Sequence, residues 1–118
     1  MMLNGEYDNG SPMLRLKIGE DKREINLLVD TGFNGELLLS KELVKQLKFT
    51  SIGSEYYKTA SGEKVLSEVY MGSIDWFDEQ RSVTILSTQA ELNLIGMELL
   101  GDSRVIMERR KGVLTISK

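Results

Sequence analysis

The sequence predicts an all-β fold, a barrel or a sandwich with little helix, on three observations. Its apolar residues fall in short runs or strict alternation rather than in long stretches of helical period. Clusters of Gly, Asp, Ser and Lys separate these runs at close intervals, as turns do. Only one segment carries a full helix start signal. A chain of 118 residues reads as one domain, since domains commonly run ~100 to 150 residues and one of this size buries roughly two-thirds of its unfolded surface.

Residues 1–12 are polar, with Asn4, Gly5, Asp8, Asn9, Gly10 and Ser11 before the only proline, Pro12, and read as a leader or a loosely attached strand. The folded domain is expected over residues 13–118. Leu14, Leu16 and Ile18 alternate with Arg15 and Lys17; Gly19-Glu20-Asp21-Lys22 turns the chain, and Ile25 to Val29 is an apolar strand interrupted at Asn26, completing a hairpin. Leu37-Leu38-Leu39 is a further short strand. Ser40 is placed as the N-cap of a helix over Lys41 to Leu47, with Glu42 in the first turn and Leu43, Val44 and Leu47 on one face. Residues 56–59 and 65–71 flank the turn signature Ala60-Ser61-Gly62-Glu63 and predict a second hairpin. Val83 to Leu86 is strand-like, Leu92 to Ile95 is a short apolar run, and Gly96 to Leu100 suits one helical turn stopped by Gly101. Val105 to Met107, a basic turn at Arg109-Arg110-Lys111-Gly112 and the strand Val113 to Ile116 complete seven or more short strands.

The chain has no cysteine and no histidine. That excludes a disulfide framework, thiolate catalysis, Cys or His zinc sites, a Ser-His-Asp triad and a histidine base. Chemistry must run on carboxylates, hydroxyls, lysine or backbone amides, and neither metal nor cofactor is expected. A formal net charge of -3 gives no electrostatic reason to expect nucleic acid or an anionic membrane as partner. No apolar run approaches the ~20 residues of a membrane-crossing helix. The opening residues lack the basic and apolar regions of a secretory signal, so a cytoplasmic location is expected.

The candidate chemistry lies at Asp30-Thr31-Gly32. Leu27-Leu28-Val29 delivers the Asp30 carboxylate from an apolar strand into a place with little water, where it must be paired or perturbed. Thr31 can hydrogen-bond nearby backbone or its counterpart in a second copy, and Gly32 lets another main chain approach closely. By itself the triplet reads equally well as a turn. Its context is more specific: Leu27 to Gly35, then Leu37-Leu38-Leu39, and some distance later Leu92-Asn93-Leu94-Ile95-Gly96-Met97-Glu98-Leu99-Leu100. Together these resemble the retropepsin-like aspartic peptidases (clan AA), most closely their small prokaryotic single-domain members, over about Leu14 to Ile116.

The resemblance implies a closed acid-protease β-barrel with one or two short helices and a flap hairpin. It implies an aspartic endopeptidase whose substrate is a peptide or unfolded protein. Asp30 matches the catalytic aspartate, Thr31 and Gly32 the support of the active-site loop, and Thr59-Ala60-Ser61-Gly62-Glu63-Lys64-Val65 the flap. Leu94-Ile95-Gly96 matches the apolar loop bracing the catalytic strand. Phe33 departs from the Ala or Ser that many members place after the glycine. Phe33, Ile95, Ala60 and Val65 are candidates to line a substrate pocket. Such enzymes need two carboxylates, and the triplet occurs once, so a homodimer is implied.

Other signals rank lower. Ser61-Gly62-Glu63-Lys64 matches S-x-x-K of serine acyl enzymes without the companion motifs. Asp75, Asp78 and Glu79 have the composition of a solvated turn rather than a calcium loop. Trp76 and Phe77 are expected to cover the end of the barrel in preference to anchoring a partner, and Arg109-Arg110-Lys111 to form a charged turn. The rival reading of the whole chain is a non-catalytic peptide-binding or assembly module that keeps the fold and never forms a competent dyad.

Overall fold

Alternation at Leu14, Leu16 and Ile18 becomes alternating burial in a strand, the elementary consequence of a two-residue side-chain period. The structure, a computed structural model, describes residues 1–59 and 61–118. Its strands are β1 (Met2–Asp8), β2 (Ser11–Ile18), β3 (Arg23–Val29), β4 (Leu37–Ser40), β5 (Thr50–Lys58), β6 (Lys64–Trp76), β7 (Glu79–Thr88), β8 (Leu94–Ile95), β9 (Arg104–Glu108) and β10 (Val113–Ser117). Helix α1 (Lys41–Leu47) follows β4, and α2 (Met97–Leu100) follows β8. No helix among the described residues is long and apolar enough to cross a membrane.

The strands form one sheet in the order β5-β6-β7-β4-β8-β3-β2-β1-β10-β9. A contact between Ile18 and Ile74 pairs β2 with β6 and brings the run from β6 to β2 round into a ring. The all-β expectation holds, with two short helices among the described residues. The ring is uneven, however, because β8 has two residues and closure rests on that single β2–β6 bridge. Inside lies the main core, built from Leu14, Ile18, Leu27, Leu37, Ile85, Ile95, Leu99, Leu114 and their neighbours.

The polar opening is a strand inside the sheet rather than a leader. β1 pairs with β10 from Met2↔Ser117 to Glu6↔Val113 and with β2 from Glu6↔Met13 to Asp8↔Ser11. Backbone ladders do not require apolar side chains on an outer face, so this strand carries little hydrophobic signal. Gly5 is needed there, since a Cβ would stand 2.3 Å from the Met13 carbonyl oxygen. Pro12, placed above at the edge of the domain, lies within β2 opposite Tyr7.

Helix α1 starts where expected. The Ser40 hydroxyl accepts the Leu43 N–H at 3.3 Å, and Lys48 closes the helix in the left-handed region at φ 54°. Between β6 and β7 the chain reverses in two residues, Phe77 and Asp78, both left-handed at φ 53° and 61°. Hairpin turns favour that geometry because it matches strand twist. Trp76 and Phe77 are both buried, with rings 5.3 Å apart in an edge contact, so they close the core instead of facing outward. Asp75 accepts a hydrogen bond from Lys22 at 2.6 Å, tying this turn to the one before β3.

Candidate active site

Asp30 sits at the point where β3 leaves the core. β3 runs parallel to β8, with Leu28 opposite Leu94 and Val29 opposite Ile95. The Leu28 N–H donates to the Asn93 carbonyl at 2.9 Å and the Asp30 N–H to the Ile95 carbonyl at 2.9 Å. Leu94 and Ile95, from the segment expected to brace the strand, thus lie in a ladder that ends on Asp30. Asp30 is half-buried and its Oδ1 accepts the Gly32 N–H at 2.8 Å, which orients the carboxylate. A Cβ on Gly32 would approach that oxygen to 3.2 Å. Thr31 is exposed.

The loop after Asp30 is fastened from below. The carbonyls of Phe33, Gly35 and Glu36 accept N–H groups from Met97, Glu98 and Gly96 at 2.8, 3.2 and 3.0 Å. The Phe33 ring packs against the two glycines: a Cβ on Gly35 or on Gly96 would lie 2.6 Å from a ring carbon, and one on Gly96 only 2.1 Å from the Gly35 carbonyl. Phe33 is therefore accommodated because both neighbours lack side chains. It is 6% exposed and packs in a second apolar cluster with Leu38, Val69, Leu86 and Leu94.

A cavity of about 310 Å³ opens beside Asp30. Its walls include Asp30, Phe33, Leu38, Leu92, Leu94 and Tyr57. This is a mostly apolar recess with one acidic group, the combination expected where a side chain is held near reacting atoms. Thr59, from the expected flap, also borders it. The chain turns at the expected place: Thr59 N–H donates to the Glu63 carbonyl and Gly62 N–H to the Thr59 carbonyl, both at 2.9 Å, while Gly62 takes φ 84°. Ser61, Glu63 and Lys64 are exposed, and Ala60 lies outside the described residues.

Two expected pocket residues lie elsewhere. Ile95 is 0% exposed and belongs to the main core. Adjacent residues on a strand face opposite ways, so Leu94 reaches the cavity while Ile95 turns inward. Val65 borders a neighbouring groove with Tyr57, Ser67 and Tyr70. There burial, reinforced by the Glu68 carboxylate, pushes the Tyr70 hydroxyl above its ordinary value.

Sequence reasoning missed Glu36 and Tyr57. Glu36 is a buried carboxylate just after the Asp30 loop: Oε2 accepts Arg81 at 2.9 Å, and Oε1 accepts the Thr84 N–H at 2.9 Å and its hydroxyl at 3.2 Å. Its signal was faint, a single acid immediately before an apolar strand. Tyr57 carried no separate signal, since β5 shows no alternation of burial and Tyr57 follows a second, exposed tyrosine.

No protein-family model and no curated protein sequence matches the chain. Solved structures do match its fold. A retropepsin-like aspartic protease from Rickettsia conorii aligns over 98% of this chain and 89% of its own, with a TM-score of 0.71 and 20% identity. EIAV protease in complex with an inhibitor aligns over 76% of this chain and 85% of its own, at TM-score 0.65 and 17% identity. The foamy viral protease-reverse transcriptase aligns over 75% of this chain but 11% of its own length, at TM-score 0.55 and 19% identity. With Asp30 at the end of a braced inner strand and strands ringing one core, the chain has the retropepsin-like aspartic protease fold.

Proposed function

We propose that this chain is an aspartic endopeptidase active as a homodimer, with Asp30 of each subunit forming the catalytic dyad. The observation that carries the reading is the placement of Asp30, half-buried and backbone-braced beside an apolar cavity, in a fold shared with aspartic proteases. A dyad needs two carboxylates about 3 Å apart sharing one proton, because like charges that close cannot both ionise. One chain supplies one Asp-Thr-Gly. A two-fold axis through this face supplies the second and brings the two Thr31 side chains, both exposed, toward each other.

The ionised member of the pair takes a proton from a bound water. The protonated member donates to the scissile carbonyl and stabilises the oxyanion that develops. Substrate is an extended peptide or unfolded segment, with main-chain hydrogen bonds to the flap and an apolar side chain in the cavity walled by Phe33, Leu38 and Leu94. Thr59 to Val65 serve as the flap, and Leu94 to Gly96 as the brace.

The test is cleavage of an unfolded protein by the wild-type chain and by Asp30→Asn. Losing a positioned acid or base is expected to cost at least ~10²-fold in rate. An Asp30→Asn chain that cleaves as fast as wild type overturns the assignment.

A further inference from the structure

Of the polar side chains buried among the described residues, Ser67 and Ser87 lie together. The Ser87 N–H donates to Ser67 Oγ at 2.9 Å, and the two hydroxyls are 3.2 Å apart. Ser67 uses its own proton on the Glu68 carbonyl at 2.7 Å, so in the hydroxyl pair Ser87 is the donor. From the other flap strand, the Tyr57 hydroxyl donates to the Ser87 carbonyl at 3.2 Å. One residue of β7 therefore holds both strands of the hairpin, Tyr57 on β5 and Ser67 on β6.

The location of this node matters because of where backbone pairing stops. β6 pairs with β7 from Trp76↔Glu79 to Val69↔Leu86, whereas its residues from Lys64 to Glu68 pair with β5. β5 has β6 as its neighbour in the sheet and no second one. Beyond Val69 the hairpin is thus a free-standing arm as far as backbone ladders go, and the bonds to Ser87 are side-chain anchors at its base. Ser87 is itself fixed, since β7 pairs with β4 at Leu39↔Ser87. Tyr57 also walls the cavity beside Asp30.

We infer that Tyr57 is a positioning residue: through its bond to Ser87, together with Ser67, it sets the height of the flap over Asp30 and hence the affinity for substrate. The kinetic half of this inference rests on the proteolytic reading; the structural half does not. Tyr57→Phe removes the hydroxyl alone. A neutral hydrogen bond contributes a factor of about five, so amides from Ser54 to Glu68 are expected to exchange hydrogen about fivefold faster in Tyr57→Phe than in wild type. KM for a peptide substrate is expected to rise by about the same factor with kcat within about twofold, because the chemical step at Asp30 is untouched. Ser67→Ala should shift both readouts in the same direction.

Unchanged exchange in both variants overturns the anchor, whatever the chain does to peptides. Faster exchange with an unchanged KM, or with the whole loss in kcat, overturns the positioning role. Should the wild-type chain cleave nothing, the proteolytic reading fails while exchange still decides the anchor.

Discussion

At Phe33 and Glu36 the environment of single residues decides what the sequence pattern could not. From sequence, a ring after Asp-Thr-Gly is compatible either with a narrowed cleft or with filled core space. In the structure it lies over Gly35 and Gly96 and is almost fully buried, so it serves as cavity floor. Phe33→Ala is expected to cost about 3 to 5 kcal/mol of folding free energy, the range for emptying a buried aromatic site. Denaturant unfolding monitored by Trp76 fluorescence measures it, and a loss under 1 kcal/mol would mean that the ring is not part of the packing. Glu36 was not legible because burial of an acid follows from partners distant in sequence, here Arg81 and Thr84. Glu36→Ala is expected to lose about 1.5 to 3 kcal/mol, the scale of hydrogen bonds to a charged group, in the same assay.

Elements were legible where local chemistry and tertiary packing agree. The β2–β3 hairpin, α1 with its Ser40 cap, the turn between β5 and β6 and the single turn of α2 all follow from residues inside the element itself. Ser40→Ala is expected to cost about 1 kcal/mol, because one donor at the start of a seven-residue helix loses its partner. The turn around Asp75, Asp78 and Glu79 was legible from its charge, but its two-residue geometry was not, because the reversal at Phe77-Asp78 carries neither Asn nor Gly; the flanking ladder from Trp76↔Glu79 onward imposes the left-handed backbone on both residues. β1 was legible only as one of two alternatives, a leader or a loose strand, because its stability comes from two ladders whose partners lie at the far end of the chain and across a tight turn. Removing residues 1–10 is expected to abolish cooperative unfolding, since β1 stands between β2 and β10 and its loss detaches the β9–β10 pair from the rest of the sheet. A truncated chain with a wild-type melting transition would show β1 to be dispensable.

For the whole molecule, the strand ring and its apolar core account for why one acidic group can be held half-buried at the mouth of a cavity. The position of Asp30 after an apolar strand was visible in the sequence; the hydrogen bond from Ile95, the cavity walls and the anchoring of the β5–β6 hairpin to Ser87 emerged only when strands distant in sequence were brought side by side. On the proposed reading, one chain contains half of a dyad. Mixing wild-type with Asp30→Asn chains tests the sharing of that site most directly. If each active site takes one carboxylate from each subunit, equal amounts of the two should leave about half the activity per wild-type chain after subunit exchange, and an excess of Asp30→Asn should extinguish it. Activity per wild-type chain that stays constant at every ratio would contradict a site shared between two copies.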